Sequence, residues 1–465
     1  MKPRTIEQLR QSGYSPLPVK AEMERNLIAA MNAGEELFPG IIGYDLTVVP
    51  QVVNAILSHH DMVFLGEKGQ AKTRMMRALT RFLDHEIPAI AGCEINDNPF
   101  DPICLSCRRK IEEHGDIVEI VWLPRSARYG ERLSPGTKIA DLIGDLDPAK
   151  VAGGAPLASE DALHFGLIPR MNRGIFAINE LPDLEYLIQV SLFNILEERD
   201  IQIRGYPLRF PMDVLLVFSA NPEEYTRSGK IITQLKDRIG AEVRTHYPHT
   251  REAGLRIVDQ EARVQTGDGY RLSVPDFMRD IVEQITIEAR RSPHVNQKSG
   301  VSARLSIANY ETMVANARRR AITLKENVVT PRISDLNYLT ASSTGKIELD
   351  PFREESLTEA QALGRIMEKA VRVVFAERMG NRDFASVVEK IKGDVALETG
   401  DMLPSADYRQ MVAAVPPLWE HVSELRGDKD DQARASCVEF ILEGLHLTGK
   451  LSRKKIGELA AYRGK

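Results

Sequence analysis

No stretch of this 465-residue chain approaches about 18 consecutive apolar residues, so a membrane-spanning helix is not expected. Cysteine is scarce. Four in a chain of this length cannot make a disulfide framework. Basic charge is not in excess: 61 Lys and Arg stand against 66 Asp and Glu, for a net −5. No global field therefore directs the protein to nucleic acid or to an acidic membrane surface. The first twenty residues, MKPRTIEQLRQSGYSPLPVK, lack the apolar segment of a secretion signal, and a cytoplasmic protein is the simplest expectation. There is no internal repeat, no long low-complexity linker, no Ser-His-Asp arrangement and no paired-carboxylate site that stands out. What remains is an ordinary balance, 43% hydrophobic and 27% charged, in a length that suits two to four domains.

The pattern changes along the chain. Residues 1–37 read as a polar lead-in with one helical pattern around Ala21–Ala33. Over 38–250, short apolar runs alternate with amphipathic stretches. Met62–Gly66, Ile117–Leu123, Gly174–Asn179 and Asp213–Asn221 are too short for buried helices and read as buried parallel strands. Helical patterns such as KTRMMRALTRFL and LEYLIQVSLFNILEER separate them, which predicts an α/β sandwich with a mostly parallel sheet. Strand signals then fade. A helical domain is expected over 251–348 and a further helical region over 349–465.

The stretch FLGEKGQAKTRMMRAL, Phe64–Leu79, has the form of a phosphate-binding loop between a strand and a helix. Gly66, Glu67, Lys68, Gly69, Gln70 and Ala71 make the loop, followed by Lys72, Thr73 and Arg74 at the helix start. In such a loop backbone N–H groups wrap the phosphates, the Lys reaches the terminal phosphates and the Thr hydroxyl holds Mg²⁺. The helix adds its N-terminal amides and positive dipole end. The strict pattern has Gly where Ala71 stands, and a methyl group there is tolerable if the local φ is negative. The alternative is an ordinary strand-to-helix turn that contains Lys-Thr.

Further along, GIFAINELPDL ends an apolar strand in Asn179-Glu180. In P-loop ATPases this place carries Asp-Glu, the first supporting the Mg²⁺ shell and the second activating the attacking water. Asn179 can hydrogen-bond a metal-bound water but brings no charge; Glu180 is intact. Asn221 ends the strand in LLVFSANPEEY, where an amide can position water or touch the γ-phosphate. Arg238, in QLKDRIGAEVRTHYP, and Arg304, in KSGVSARLSIANYE, are candidate charge-stabilising arginines. A surface helix end is the alternative for each.

These five elements, in this order and at these separations, resemble the AAA+ ATPase module, and most closely the ATPase subunit of magnesium chelatase and the MoxR-type ATPases. The resemblance covers about Phe38–Ile347. FPGIIGYD is similar to the box that cradles adenine, which implies Ile42, Gly43 and Tyr44 as nucleotide contacts. IGDLDPAKVA and DIQIRGYPLRFP resemble two β-hairpin inserts. The resemblance implies an AAA+ P-loop α/β core followed by a helical lid, with ATP and Mg²⁺ as cofactors. It makes Lys72 and Thr73 the phosphate and Mg²⁺ residues, Asn179 part of the metal shell and Glu180 the water activator. It makes Asn221 sensor 1, Arg238 a finger acting on a neighbouring subunit, and Arg304 sensor 2. It implies a homo-oligomeric ring, often a hexamer, that hydrolyses ATP to remodel a partner or drive metal insertion, with a von Willebrand-type domain protein as a possible partner. A nucleotide-gated scaffold with little turnover is the alternative. A transcription-regulating ATPase ranks lower, since there is no GAFTGA-type loop and no defensible helix-turn-helix.

Three cysteines cluster in AGCEINDNPFDPICLSCRRKIEEHGD. Cys104 and Cys107 have the spacing that lets two thiolates share one metal. With Cys93 eleven positions earlier and His114 seven later, a Cys₃His zinc site is one expectation. Reduced thiols packed near the sheet are the other. Cys437 sits in an apolar helix and reads as core. The run Arg318–Arg320 reads as a solvated basic face.

Overall fold

The computed structural model describes residues 2–132, 136–154, 159–202, 209–227, 230–265, 267, 269–296, 300–350, 357–392, 396–456 and 459–464. The chain forms two compact units, Met1–His246 and Tyr247–Lys465.

The first unit is built on a five-stranded parallel sheet. Its strands are β1 (Met62–Leu65), β2 (Tyr129–Arg132), β3 (Gly174–Ile178), β4 (Val214–Ala220) and β5 (Ala241–Arg244), in the spatial order β5-β1-β4-β3-β2. β1, β3 and β4 are buried at every position, because helices cover both faces. Val63, Leu65, Phe176, Ile178, Leu216 and Phe218 point into one core. Met62, Phe64, Ile175, Ala177, Leu215 and Val217 point into the other. This period-two division is why the strands read as unbroken apolar runs.

One expected strand lies elsewhere. Ile120–Pro124 pairs antiparallel with Glu86–Ile90 outside the main sheet, and Val121 is exposed. A ribbon with one face in water needs no place in the centre of a sheet. The position beside β3 goes instead to β2, whose sequence YGER has no apolar run.

Both inserts are antiparallel pairs, Gly144–Leu146 with Leu163–Phe165 and Asp200–Gln202 with Arg209–Pro211. The N-terminal segment is part of this unit. Ile6 and Leu9 are buried in one core, while helix Val19–Asn32 sends Val19, Met23 and Leu27 into the other. Glu22 on that helix makes a two-pronged ion pair with Arg128, both nearly without solvent contact, at 2.6 Å for each prong.

The second unit is mainly helical. Helices Asp276–Arg291, Arg304–Leu324, Glu359–Met379 and Asp431–Leu447 share a single hydrophobic core. Phe277 stacks on Phe440 with centroids 4.3 Å apart, and Gly444 lets Phe375 lie against Asp431–Leu447 where any Cβ would clash. The C-terminal region also carries a three-stranded antiparallel sheet of Leu397–Thr399, Leu459–Gly464 and Leu451–Ile456. The run Arg318–Arg320 is not solvated throughout: Arg320 is buried and forked onto Asp335. Among the described residues, no helix is long and apolar enough to cross a membrane.

Candidate functional site

The loop leaves β1 directly. The Gly66 N–H donates to the Ala220 carbonyl of β4 at 3.1 Å. A Cβ on Gly66 would lie 1.8 Å from Thr245 Oγ1 and 2.3 Å from Gln70 Oε1, so only glycine fits. Gln70 is buried, and its Oε1 accepts the Glu67 N–H at 3.0 Å and the Thr245 hydroxyl at 2.8 Å. That side chain fixes the loop from inside. Gly69 has φ +75°.

Ala71 has φ +55° and ψ +18°, the left-handed region. The condition of a negative φ is thus not met. The pattern's glycine is explained by its backbone, and Ala71 stores strain of about 1–2 kcal/mol for an L-residue in this region. The helix α1 (Lys72–Ala78) begins at the next residue.

Lys72 Nζ donates to the carbonyls of Gly66 at 2.6 Å and Glu67 at 2.9 Å, folded across the loop. Burial lowers its pKa to about 8, against the opposing pull of the Glu180 and Glu67 carboxylates. Lys68 and Arg74 are exposed on either side.

Tyr44, buried, ties the preceding box to this loop. Its hydroxyl contacts the Gln70 carbonyl at 2.7 Å and the His246 carbonyl at 3.0 Å. Gly43, with φ +82°, makes the turn ahead of it, and Ile42 is half-buried.

Beside the loop stand the ends of β3 and β4. Asn179 Oδ1 accepts the Thr73 hydroxyl at 3.3 Å and the Ser219 hydroxyl at 3.1 Å. The Asn179 amide Nδ2 donates to Glu131 Oε1, and Arg77 of α1 holds the other carboxylate oxygen at 2.9 Å. Glu131 is therefore a nearly buried carboxylate one hydrogen bond from the amide that replaces the usual Asp. Sequence reasoning missed it, since β2 carries no strand signal; only the register Glu131↔Ala177 brings it here. Glu180 follows β3 with φ +54°, its side chain exposed and its N–H donating to Ser219 Oγ at 3.3 Å. A non-glycine residue in that region at a strand end is a strained, functionally suggestive geometry.

The other candidates are placed as follows. Asn221 ends β4, and its Oδ1 caps the short helix Pro222–Thr226 through the Glu223 N–H at 3.1 Å. Arg238 ends helix Thr233–Arg238, paired with Glu197 at 2.6 Å and lying over the Phe193 ring. Arg304 opens its helix in the second unit with an exposed side chain. Cys93, Cys104 and Cys107 come together; His114 does not join them. It sits exposed at the far end of helix Leu105–His114, and Asp97 is the fourth member of the cluster.

Oxygen donors thus converge at the carboxyl ends of β1, β3 and β4, where ligands bind in open α/β sheets. The Thr73 hydroxyl, the Asn179 amide oxygen and the Glu131 carboxylate are a hard donor set that suits Mg²⁺.

No protein-family model matches the chain. It is 29% identical over 173 residues to the archaeal Lon protease of Thermococcus kodakarensis, covering 34% of this chain and 26% of that protein. It is 30% identical over 172 residues to the archaeal Lon protease of Pyrococcus abyssi, covering 33% and 16%. The matched stretch is thus about a quarter or less of those relatives' length. Among solved structures, the complex between subunits BchI and BchD of magnesium chelatase gives 19% identity and a TM-score of 0.33, covering 72% of this chain and 97% of that one. NtrX from Brucella abortus in complex with ATP gives 14% identity and a TM-score of 0.38, covering 83% and 72%. Likeness at these TM-scores does not discriminate among activities. The first unit is an α/β fold on a five-stranded parallel sheet, with the loop after β1, Asn179-Glu180 after β3 and Asn221 after β4, in the order the sequence resemblance leads one to expect.

Proposed function

We propose that this chain is a magnesium-chelatase-like AAA+ ATPase that binds ATP with Mg²⁺ and hydrolyses it within a homo-oligomeric ring, remodelling a partner protein or driving metal insertion. The observation that carries this is the junction of the loop with α1. Lys72 bridges two loop carbonyls, and Thr73 lies in one hydrogen-bonded chain with Asn179 and Glu131.

On this reading an arriving triphosphate replaces those carbonyls as the partner of the Lys72 ammonium. The amides of Gly69–Thr73 and the α1 dipole bind its oxygens. Thr73 and Asn179, with Glu131 behind them, would hold Mg²⁺, which would supply charge neutralisation at the phosphates. Glu180 accepts a proton from the attacking water, and Asn221 orients that water. Arg238 exchanges Glu197 for a neighbouring subunit's γ-phosphate, and Arg304 senses the nucleotide from the lid. Tyr44, Gly43 and Ile42 border the base. The functional divisions are then the core over 38–250, the lid over 251–348 and a C-terminal region over 349–465. On this reading the ring is cytoplasmic and engages a von Willebrand-type domain protein; the net charge of −5 supplies no basic field for nucleic acid.

Steady-state phosphate release tests this. Turnover that is lost in Glu180→Gln while ATP binding persists supports it. The uncharged Asn179 favours one other reading, a nucleotide-gated scaffold; ATP binding without release above background would select that. Tight ATP binding retained by Lys72→Ala would refute both.

A further inference from the structure

The turn after Glu86–Ile90 and the start of helix Leu105–His114 enclose four side chains of one chemistry. One ligand atom each from Cys93, Asp97, Cys104 and Cys107 lies within 4.8 Å of all the others. Cys93 Sγ and Cys104 Sγ are 4.0 Å apart, close to the ~3.8 Å edge of a tetrahedron with metal–sulfur bonds of about 2.3 Å. All four cysteines of the chain are free thiols.

Asp97 marks the centre. Its side chain has no solvent exposure. Oδ2 accepts the Cys104 N–H at 3.0 Å, but Oδ1 is buried with no hydrogen-bond partner among the described residues. A buried carboxylate oxygen without a partner is costly, and a cation removes that cost. The sulfurs are already oriented: the Asp97 N–H donates to Cys93 Sγ at 3.3 Å and the Cys107 N–H to Cys104 Sγ at 3.4 Å. Amide donors to sulfur stabilise thiolates, the form that binds metal. The backbone is bent to suit, with Gly92 at φ +72° and Asn96 at φ +56°.

We propose that Cys93, Asp97, Cys104 and Cys107 hold one Zn²⁺ in a closed, structural Cys₃Asp site. Three thiolates and a carboxylate select zinc over hard cations, and four protein ligands, three of them buried and Cys93 half-buried, leave no open position for catalysis. The metal fixes a turn that feeds the nucleotide module. Asn96 Nδ2 donates to the Arg170 carbonyl at 2.7 Å, and Arg173, which precedes β3, reaches the Pro88 carbonyl at 2.7 Å. This site is separate from the Mg²⁺ donors and stands whether or not the chain hydrolyses ATP.

The test is metal analysis of the full chain purified under reducing conditions without chelator. One zinc per chain is expected, with Cys93, Cys104 and Cys107 protected from a thiol reagent until the metal is stripped. Cobalt added to the stripped chain should give the intense visible bands of a tetrahedral thiolate site. Asp97→Asn keeps the shape but removes the charge. It should weaken zinc in a chelator competition by at least about 100-fold, beyond the 10–100-fold typical of residues outside the ligand set. Metal well below stoichiometric with freely reactive thiols overturns the proposal. So does iron in place of zinc, or a chain mass lower by two hydrogens, which would mean a disulfide. If Asp97→Asn does not fold, the content and cobalt spectrum of the unaltered chain still decide.

Discussion

Restoring the usual carboxylate at position 179 should harm this protein unless Glu131 is neutralised at the same time. In the native chain Asn179 Nδ2 donates to Glu131 Oε1, and Asn179 Oδ1 accepts from Thr73 and Ser219. Asn179→Asp turns that donor into a second anion at contact distance from a carboxylate that is 9% exposed. Two like charges about 4 Å apart repel by about 4 kcal/mol at an effective dielectric of 20. Proton uptake caps the cost, because neutralising a carboxylate of ordinary pKa at pH 7 costs about 4 kcal/mol. Arg77, itself mostly exposed, offsets part of the repulsion. A net loss of about 2–3 kcal/mol in magnesium-free buffer follows. Glu131→Gln in the same chain should recover most of it, giving a coupling of about 2 kcal/mol in a double-mutant cycle read by urea denaturation. Saturating Mg²⁺, or a pH near 5, should shrink that coupling. Additive single effects, within about 0.5 kcal/mol, would mean that Glu131 and residue 179 do not share a site.

Lys72, with a pKa near 8 against an ordinary 10.5, gives a pH signature. The unfolded chain binds more protons than the folded one between those values, so the free protein gains stability as pH rises across that window. ATP binds the ammonium form, so its affinity, measured by calorimetry, should be full below pH 8 and fall by up to about tenfold per pH unit above it. Lys72→Arg should abolish that fall. Ala71→Gly relieves about 1–2 kcal/mol of left-handed strain but adds about 0.5–1 kcal/mol of chain entropy; chemical denaturation should record a gain of roughly 0.5 kcal/mol, and a loss would refute the strain. Arg128→Met strands the buried Glu22 carboxylate and should cost about 3–5 kcal/mol, less than that when combined with Glu22→Gln. Arg238→Ala should spare ATP binding and reduce turnover, with recovery in mixed rings that pair complementary mutant sites. Absence of recovery would mean the arginine acts within its own subunit or not at all.

Much of the module was readable from local patterns. β1, β3 and β4 are buried on both faces, so nearly every residue is apolar and each run ends at a candidate site residue: Gly66, Asn179-Glu180, Asn221. Lys72 and Thr73 were legible because a loop and a helix start are local in sequence. The C-terminal strands were not. Leu451–Ile456, LSRKKI, has three consecutive exposed charges on alternating faces, so no period-two pattern marks it, and its strand character comes from antiparallel pairing with Leu459–Gly464.

By itself, then, the sequence determined that a glycine-bearing loop precedes the Lys72 helix and where β1, β3 and β4 run, since short-range spacing and burial dictate residue type. Tertiary structure alone decided that a polar edge strand would bring Glu131 to Asn179. It also placed Asp97, rather than His114, among the three thiols, and gave Ala71 its left-handed backbone. Those outcomes depend on strand register, on which way a buried loop turns and on a backbone angle set by its neighbours, none of which a pattern of residue types encodes.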